Sequence, residues 1–133
     1  MTLPPAATTV WIVDDDLGFV WWLGELLSEA GCRALPALSC DQALSLMKEV
    51  KVGIDLLVVN PQLPEVAGML RIFRCANANL KVVAIGKASR AVTAAIRPLT
   101  YLERPSGFDP VSRPEWRQKV QKLLKEMTAP AEV

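Results

Sequence analysis

Val10-Trp11-Ile12-Val13-Asp14-Asp15-Asp16 is the stretch that decides how this chain folds. Four apolar residues of strand-forming type stop at three consecutive carboxylates, the pattern of a strand buried on both faces that ends in a polar turn. Adjacent acids repel one another. A chain tolerates them where water, a cation or a basic side chain offsets the charge. The expectation is an acidic pocket at the carboxyl end of a parallel sheet.

Working outward, residues 1–9, with Pro4 and Pro5, read as a loose leader. Residues 17–30 read as a helix stopped by Gly31. At about 100° per residue, Phe19, Leu23, Leu26, Leu27 and Ala30 share its inner face, with Trp22 on the margin. Trp21 falls on the opposite side, beside Glu25 and Ser28. A second strand at 33–37 contains Pro36, which cannot donate to a ladder, so an edge strand is expected. Ser39 and Gln42 form a capping box that opens a helix with Ala43, Leu44, Met47 and Val50 inward. Leu56-Leu57-Val58-Val59 is a third buried strand ending at Asn60.

A loop over 61–68 leads to a short helix using Met69, Ile72, Phe73 and Ala76. Val82-Val83-Ala84-Ile85 is the fourth strand, ending at Gly86-Lys87. A short helix at 90–96 precedes Pro98, and a weak fifth strand, Tyr101-Leu102-Glu103, ends at Arg104-Pro105. Ser112 and Glu115 cap a last helix with Trp116, Val120, Leu123, Leu124 and Met127 as its core stripe. Residues 128–133 read as a frayed tail or the start of a linker. Five alternations of strand and helix predict one α/β domain over 10–127 with a parallel sheet and right-handed crossovers. Ligands of such sheets gather beyond the carboxyl ends of the strands. There the topology assembles Asp14, Asp15, Asp16, Asn60, Gly86, Lys87 and Arg104.

Composition narrows the function. The 133 residues suit one core, and 51% hydrophobic with 22% charged residues predicts an ordinary globular fold. A net charge of +1 gives no basic face for nucleic acid. No apolar run approaches the ~20 residues of a membrane span, so neither membrane nor nucleic acid is an expected partner and the cytoplasm is the expected compartment. Cys32, Cys40 and Cys75 are odd in number, fit no CxxC spacing and read as free thiols. Histidine is absent, which excludes His-based triads, His metal sites and a phosphohistidine carrier.

The pattern resembles the receiver domain of two-component response regulators over nearly the whole chain. The likeness rests on Val13-Asp14-Asp15-Asp16 and on Asn60-Pro61-Gln62-Leu63-Pro64 with Gly68 beyond it. Ser39-Cys40-Asp41-Gln42-Ala43-Leu44 and Tyr101-Leu102-Glu103-Arg104-Pro105 support it. The resemblance implies a flavodoxin-like (CheY-like) doubly wound, five-stranded parallel sheet of order 2-1-3-4-5, with the second strand at an edge. It also implies a phosphorelay pocket. There an aspartate ending the third strand accepts the phosphoryl group, two acids matched by Asp14 and Asp15 hold Mg²⁺ with a backbone carbonyl matched by Gln62, a hydroxyl ends the fourth strand, and a lysine ends the fifth.

Four of those positions differ here: the acceptor is Asn60, the hydroxyl position Gly86, the small residue after it Lys87, and the lysine Arg104. An amide oxygen is a far weaker nucleophile than a carboxylate, so loss of phosphotransfer is expected. Removing one formal charge from the cation site predicts weak or absent Mg²⁺ binding, with Lys87 or Arg104 as internal counterions. The expected role is therefore that of a pseudo-receiver. It is not an enzyme, and it works through protein contacts with a sensor kinase, an output protein or a second copy of itself. Candidate contact residues are Trp21 with Val20 on the first helix, and Arg97, Tyr101 and Glu103 around the fifth strand. A competing reading is a working phosphoacceptor using Asp14, Asp15 or Asp16. A third is a haloacid-dehalogenase-type phosphatase with Asp14 as nucleophile, for which 133 residues leave little room.

Overall fold

The computed structural model describes residues 8–49, 53–86, 90, 99–103 and 113–128. The strands are β1 (Thr9–Val13), β2 (Arg33–Ala37), β3 (Leu56–Val59), β4 (Lys81–Ile85) and β5 (Leu99–Leu102). The helices among the described residues are α1 (Leu17–Glu29), α2 (Cys40–Glu49), α3 (Val66–Ala76) and the last helix, α4 (Arg113–Thr128). All pairings are parallel and the order is β2-β1-β3-β4-β5. This is the doubly wound sheet that the resemblance implied.

Alternation along the strands makes two cores. Trp11, Val13, Leu57, Val59, Val82 and Ala84 point toward α2 and α3, where they pack with Met69, Leu70 and Phe73. Val10, Ile12, Leu56, Val58, Val83 and Ile85 point the other way, against Phe19, Leu23, Leu26, Trp116 and Val120. Every residue of β1 and β3 is buried, as expected for inner strands covered by helices on both faces. Trp116 bridges α4 to α1 through edge-on contacts with Trp22 (5.4 Å) and Phe19 (5.9 Å).

Local chemistry sets the element ends. Asp16 accepts the Phe19 amide at 3.2 Å and caps α1. Gly31, at φ 85°, supplies the left-handed residue past the end of α1, and the Cys32 amide reaches back to the Leu27 carbonyl at 2.9 Å. Ser39 Oγ takes the Gln42 amide at 3.0 Å, as a capping box requires, while Gln42 Oε1 accepts the Leu38 amide. On β2 the Arg33 amide and the Ala37 carbonyl both pair with the β1 side, so by alternation Ala34 and Pro36 face outward. Pro36 thus sits where a missing N–H disturbs no ladder bond.

Several expectations need correction. Thr9 heads β1 and does not end the leader, and α4 continues through Thr128. Ala30 is exposed because it is the C-cap of α1, beyond the last inward turn. α3 begins at Val66, inside the stretch expected to be loop, and its buried face is Val66, Met69, Leu70 and Phe73; Ile72 and Ala76 are exposed. With Val66 included in the helix, the apolar stripe centres on Val66, Met69, Leu70 and Phe73, and Ile72 lies about 110° from that centre, turned to solvent. The expected helix at 90–96, the loop after Pro105, Ser112 and Val50 lie outside the described residues, as does the side chain of Met127.

Candidate functional site

The carboxyl ends of β1, β3 and β4 meet at one edge of the sheet, and the three acids following β1 separate into three environments. Asp14 is buried, with its amide bound to the Ala37 carbonyl at 3.0 Å. Its Oδ1 accepts the Asp16 amide at 3.0 Å, closing a turn that aims the carboxylate across the strand ends. Asp15 is exposed. Asp16 is engaged as the cap of α1.

Asn60 is half-buried and anchored by its amide to the Val13 carbonyl at 2.9 Å. Its side-chain NH₂ donates to Asp14 Oδ1 in a long bond of 3.4 Å, and its Oδ1 accepts the Gln62 amide at 3.0 Å. Only this orientation lets both contacts work. The flipped amide would set oxygen against carboxylate and NH₂ against N–H. The group that ends β3 therefore donates toward Asp14 and offers it no negative charge.

That geometry fits a hard cation poorly. Mg²⁺ demands octahedral oxygen ligation and favours anionic donors. Here Asp14 and Asp15 are the carboxylates, and the side chain from β3 presents hydrogen to the first of them. Among the described residues, no three His, Cys, Asp or Glu side chains converge as a metal site.

Gly86 follows β4 with φ 104°, and its amide donates to the Leu102 carbonyl at 2.9 Å. A Cβ built there would meet nothing within 4 Å. The departure from a hydroxyl residue is thus matched by backbone conformation and not by crowding, since φ in this range disfavours any residue with a Cβ. Lys87 and Arg104, the two expected counterions, lie outside the described residues.

The candidate contact residues divide. Trp21 is 67% exposed, whereas the other three tryptophans are buried. Val20, expected beside it at the surface, is 4% exposed and belongs to the core with Leu27. The reason is that α1 is apolar over most of its circumference, and Val20 falls within the buried arc. Glu103 is exposed. Arg97 and the Tyr101 side chain are not among the described features.

Two features were missed. One is an ion-pair cluster joining α1 to α4. Arg113 contacts Glu29 and also Glu25 (3.5 Å), while Arg117 reaches Glu29 at 3.0 Å. Together the arginines hold the Glu29 carboxyl below the usual carboxylate range, through hydrogen bonding to Arg113 first. The i, i+4 repeat of Glu25/Glu29 and of Arg113/Arg117 was a readable signal. The other is a groove of about 590 Å³ between α1 and the β2 edge, lined by Leu17, Trp21, Gly24, Pro36 and Leu38 among others. Leu17 is 54% and Leu38 39% exposed. Periodicity marks Trp21 as facing away from the core but not Leu17 or Leu38, which lie at the start of α1 and just past the end of β2.

No family model matches the sequence, and no curated protein matches it. Solved structures do. The chain is similar to a CheY-like response regulator receiver domain from Methanospirillum hungatei, with 18% identity, a TM-score of 0.70, and 92% of this chain and 97% of that one covered. It is similar to the response regulator TrrA of Thermotoga maritima in complex with Mg²⁺–BeF, at 22% identity, TM-score 0.63, 87% and 98% covered. It is also similar to the chemotaxis response regulator CheY4 of Vibrio cholerae, at 15% identity, TM-score 0.70, 92% and 99% covered. The chain has the CheY-like receiver fold.

Proposed function

We propose, from a receiver fold whose third strand ends in an amide, that this chain is a pseudo-receiver: a two-component signalling domain that acts by protein contact without aspartyl phosphorylation. The observation that carries the reading is the Asn60 side chain, whose NH₂ faces Asp14 and whose oxygen is held by the Gln62 amide. Phosphoryl transfer needs a charged oxygen at that place, and a neutral carboxamide supplies none. Gly86 removes the hydroxyl that would hold a phosphoryl oxygen and, at φ 104°, favours its own replacement by no other residue.

The neighbouring acids do not substitute. Asp14 is buried and committed to the Asp16 amide and the Asn60 side chain. Asp16 caps a helix, and Asp15 stands at the exposed rim. The same commitments weigh against a haloacid-dehalogenase-type nucleophile at Asp14. In this reading the domain is cytoplasmic and has no catalytic residue. Any Mg²⁺ it takes at Asp14, Asp15 and the Gln62 carbonyl is weakly held, and Lys87 and Arg104 supply compensating positive charge. Its partners are a kinase, an output protein or another copy.

Beryllofluoride with Mg²⁺ tests this directly, because it mimics an aspartyl phosphate and TrrA is a structure in complex with it. Fluorine NMR of this protein with excess Mg²⁺ and beryllofluoride is expected to show only free fluoroberyllate species. A bound resonance would sink the proposal.

A further inference from the structure

The outer face of α1 carries a second seam unused by either core. Leu17, Trp21, Gly24 and Ser28 follow one another at spacings of four, three and four, the repeat by which one helix packs on another. All four border the groove along the β2 edge. The seam is graded: two large apolar residues in its first half, two small ones in its second. Gly24 lies inside a helix, where it costs up to ~1 kcal/mol relative to alanine, and a Cβ there would meet nothing within 4 Å of this chain. No internal contact accounts for it.

We infer that this groove is a self-association site, occupied by α1 of a second copy lying antiparallel about a two-fold axis. An axis between positions 22 and 23 sets Trp21 of each copy against Gly24 of the other, and Leu17 against Ser28. Large residues meet small ones twice, as an isologous contact requires. Each indole then enters the other copy's groove beside Pro36 and Leu38. Pairing through the sheet edge is disfavoured, because Pro36 faces outward without an N–H and the Leu38 amide is taken by Gln42, which leaves Ala34 as the outward donor of β2. The helix seam remains.

The exposed area sets the strength. At 67% exposure Trp21 offers about 150 Å². With Leu17 and Leu38 the apolar face is on the order of 300 Å² per copy, or ~600 Å² for the pair. A standard stable interface buries at least ~1,200 Å², so the dimer is weak and concentration-dependent. This occupant gives one identity to the protein contact on which the proposed function rests.

Sedimentation velocity of the whole chain from micromolar to near-millimolar concentration tests it, alongside tryptophan emission. Trp21 is the exposed indole of the four, so association is expected to shift emission to shorter wavelength with concentration. Trp21→Ser removes the knob and Gly24→Leu fills the hole; each is expected to weaken association at least tenfold, with circular dichroism confirming the fold. Monomers at every concentration overturn the inference and leave the pseudo-receiver reading standing. So does a dimer that Gly24→Leu strengthens, which would be general apolar adhesion. A dimer seen only with Mg²⁺ and beryllofluoride, and lost in both variants, supports the surface while overturning the phosphorylation-independent reading.

Discussion

Replacing Asn60 by aspartate converts the end of β3 into the group that a working pocket needs, and the structure sets the size of the response. The new carboxylate would stand where Asn60 Nδ2 now lies 3.4 Å from Asp14 Oδ1. Two unit charges at that distance repel by about 5 kcal/mol at an effective dielectric of ~20. Asn60 is half-buried beside exposed Asp15, so water screens part of this, and a loss of ~1–3 kcal/mol is expected. For a domain of this size that lowers Tm by roughly 4–10 °C without divalent ions.

The Gln62 amide still has an oxygen to bond, so the loop keeps its shape. Mg²⁺ then acts with opposite sign. Three oxyanions near one point bind it, and at ~10 mM Mg²⁺ against a Kd of ~1 mM the folded state gains about 1.4 kcal/mol, or ~5 °C. Scanning calorimetry of wild type and Asn60→Asp with and without Mg²⁺ is the assay. Wild type is expected to move by less than about 1 °C and the variant by ~5 °C. An equal shift in both proteins would refute the reasoning, because the amide would then not be what excludes the ion. So would a variant insensitive to Mg²⁺.

Glu65 heads α3 at φ 67° with no side-chain cap bond, so Glu65→Gly is expected to raise stability by ~0.5–1 kcal/mol in urea unfolding. Trp116 is 3% exposed and holds α4 to α1, so Trp116→Ala is expected to cost ~3–5 kcal/mol in the same assay. Burial pushes the Cys40 thiol up to about 11 and raises Cys32, whereas Cys75 is exposed; native labelling with iodoacetamide followed by peptide mapping is expected to find Cys75 modified well before the others. The Glu29 carboxyl is lowered by Arg113 and Arg117, so its contribution is present above the ordinary carboxylate range and disappears as pH falls through its lowered value. The gap in urea midpoint between wild type and Arg113→Gln should therefore be wider at pH 7 than at pH 3, and should narrow in high salt.

Where burial is two-sided or a turn has a fixed chemistry, the chain was readable. β1 and β3 are unbroken apolar runs because both faces are covered, and Pro36 marked the edge strand because an inner one needs its N–H. The pocket was readable because strand ends in a doubly wound sheet converge, and Asn60 does reach Asp14. Side-chain periodicity failed where helix boundaries were ambiguous. Val66 follows Glu65, whose left-handed backbone carries no residue signal, so the sequence pattern misses Val66 as the anchor that centres the inner stripe of α3 away from Ile72. The pattern groups Val20 with Trp21 at the surface, because residue spacing does not show how wide an arc of the helix the sheet covers. The groove required β2 and α1 to be brought together in space, which residue spacing along one helix does not report. Gly86 showed a missing hydroxyl in the sequence, but its positive φ belongs to the backbone alone.

A pseudo-receiver, as proposed, accepts no phosphoryl group. Intact-mass spectrometry after incubation with acetyl phosphate and Mg²⁺ tests it with no partner required. The mass of the wild-type chain is predicted to stay unchanged. A phosphoryl adduct that hydroxylamine removes, as it removes an acyl phosphate, would contradict it.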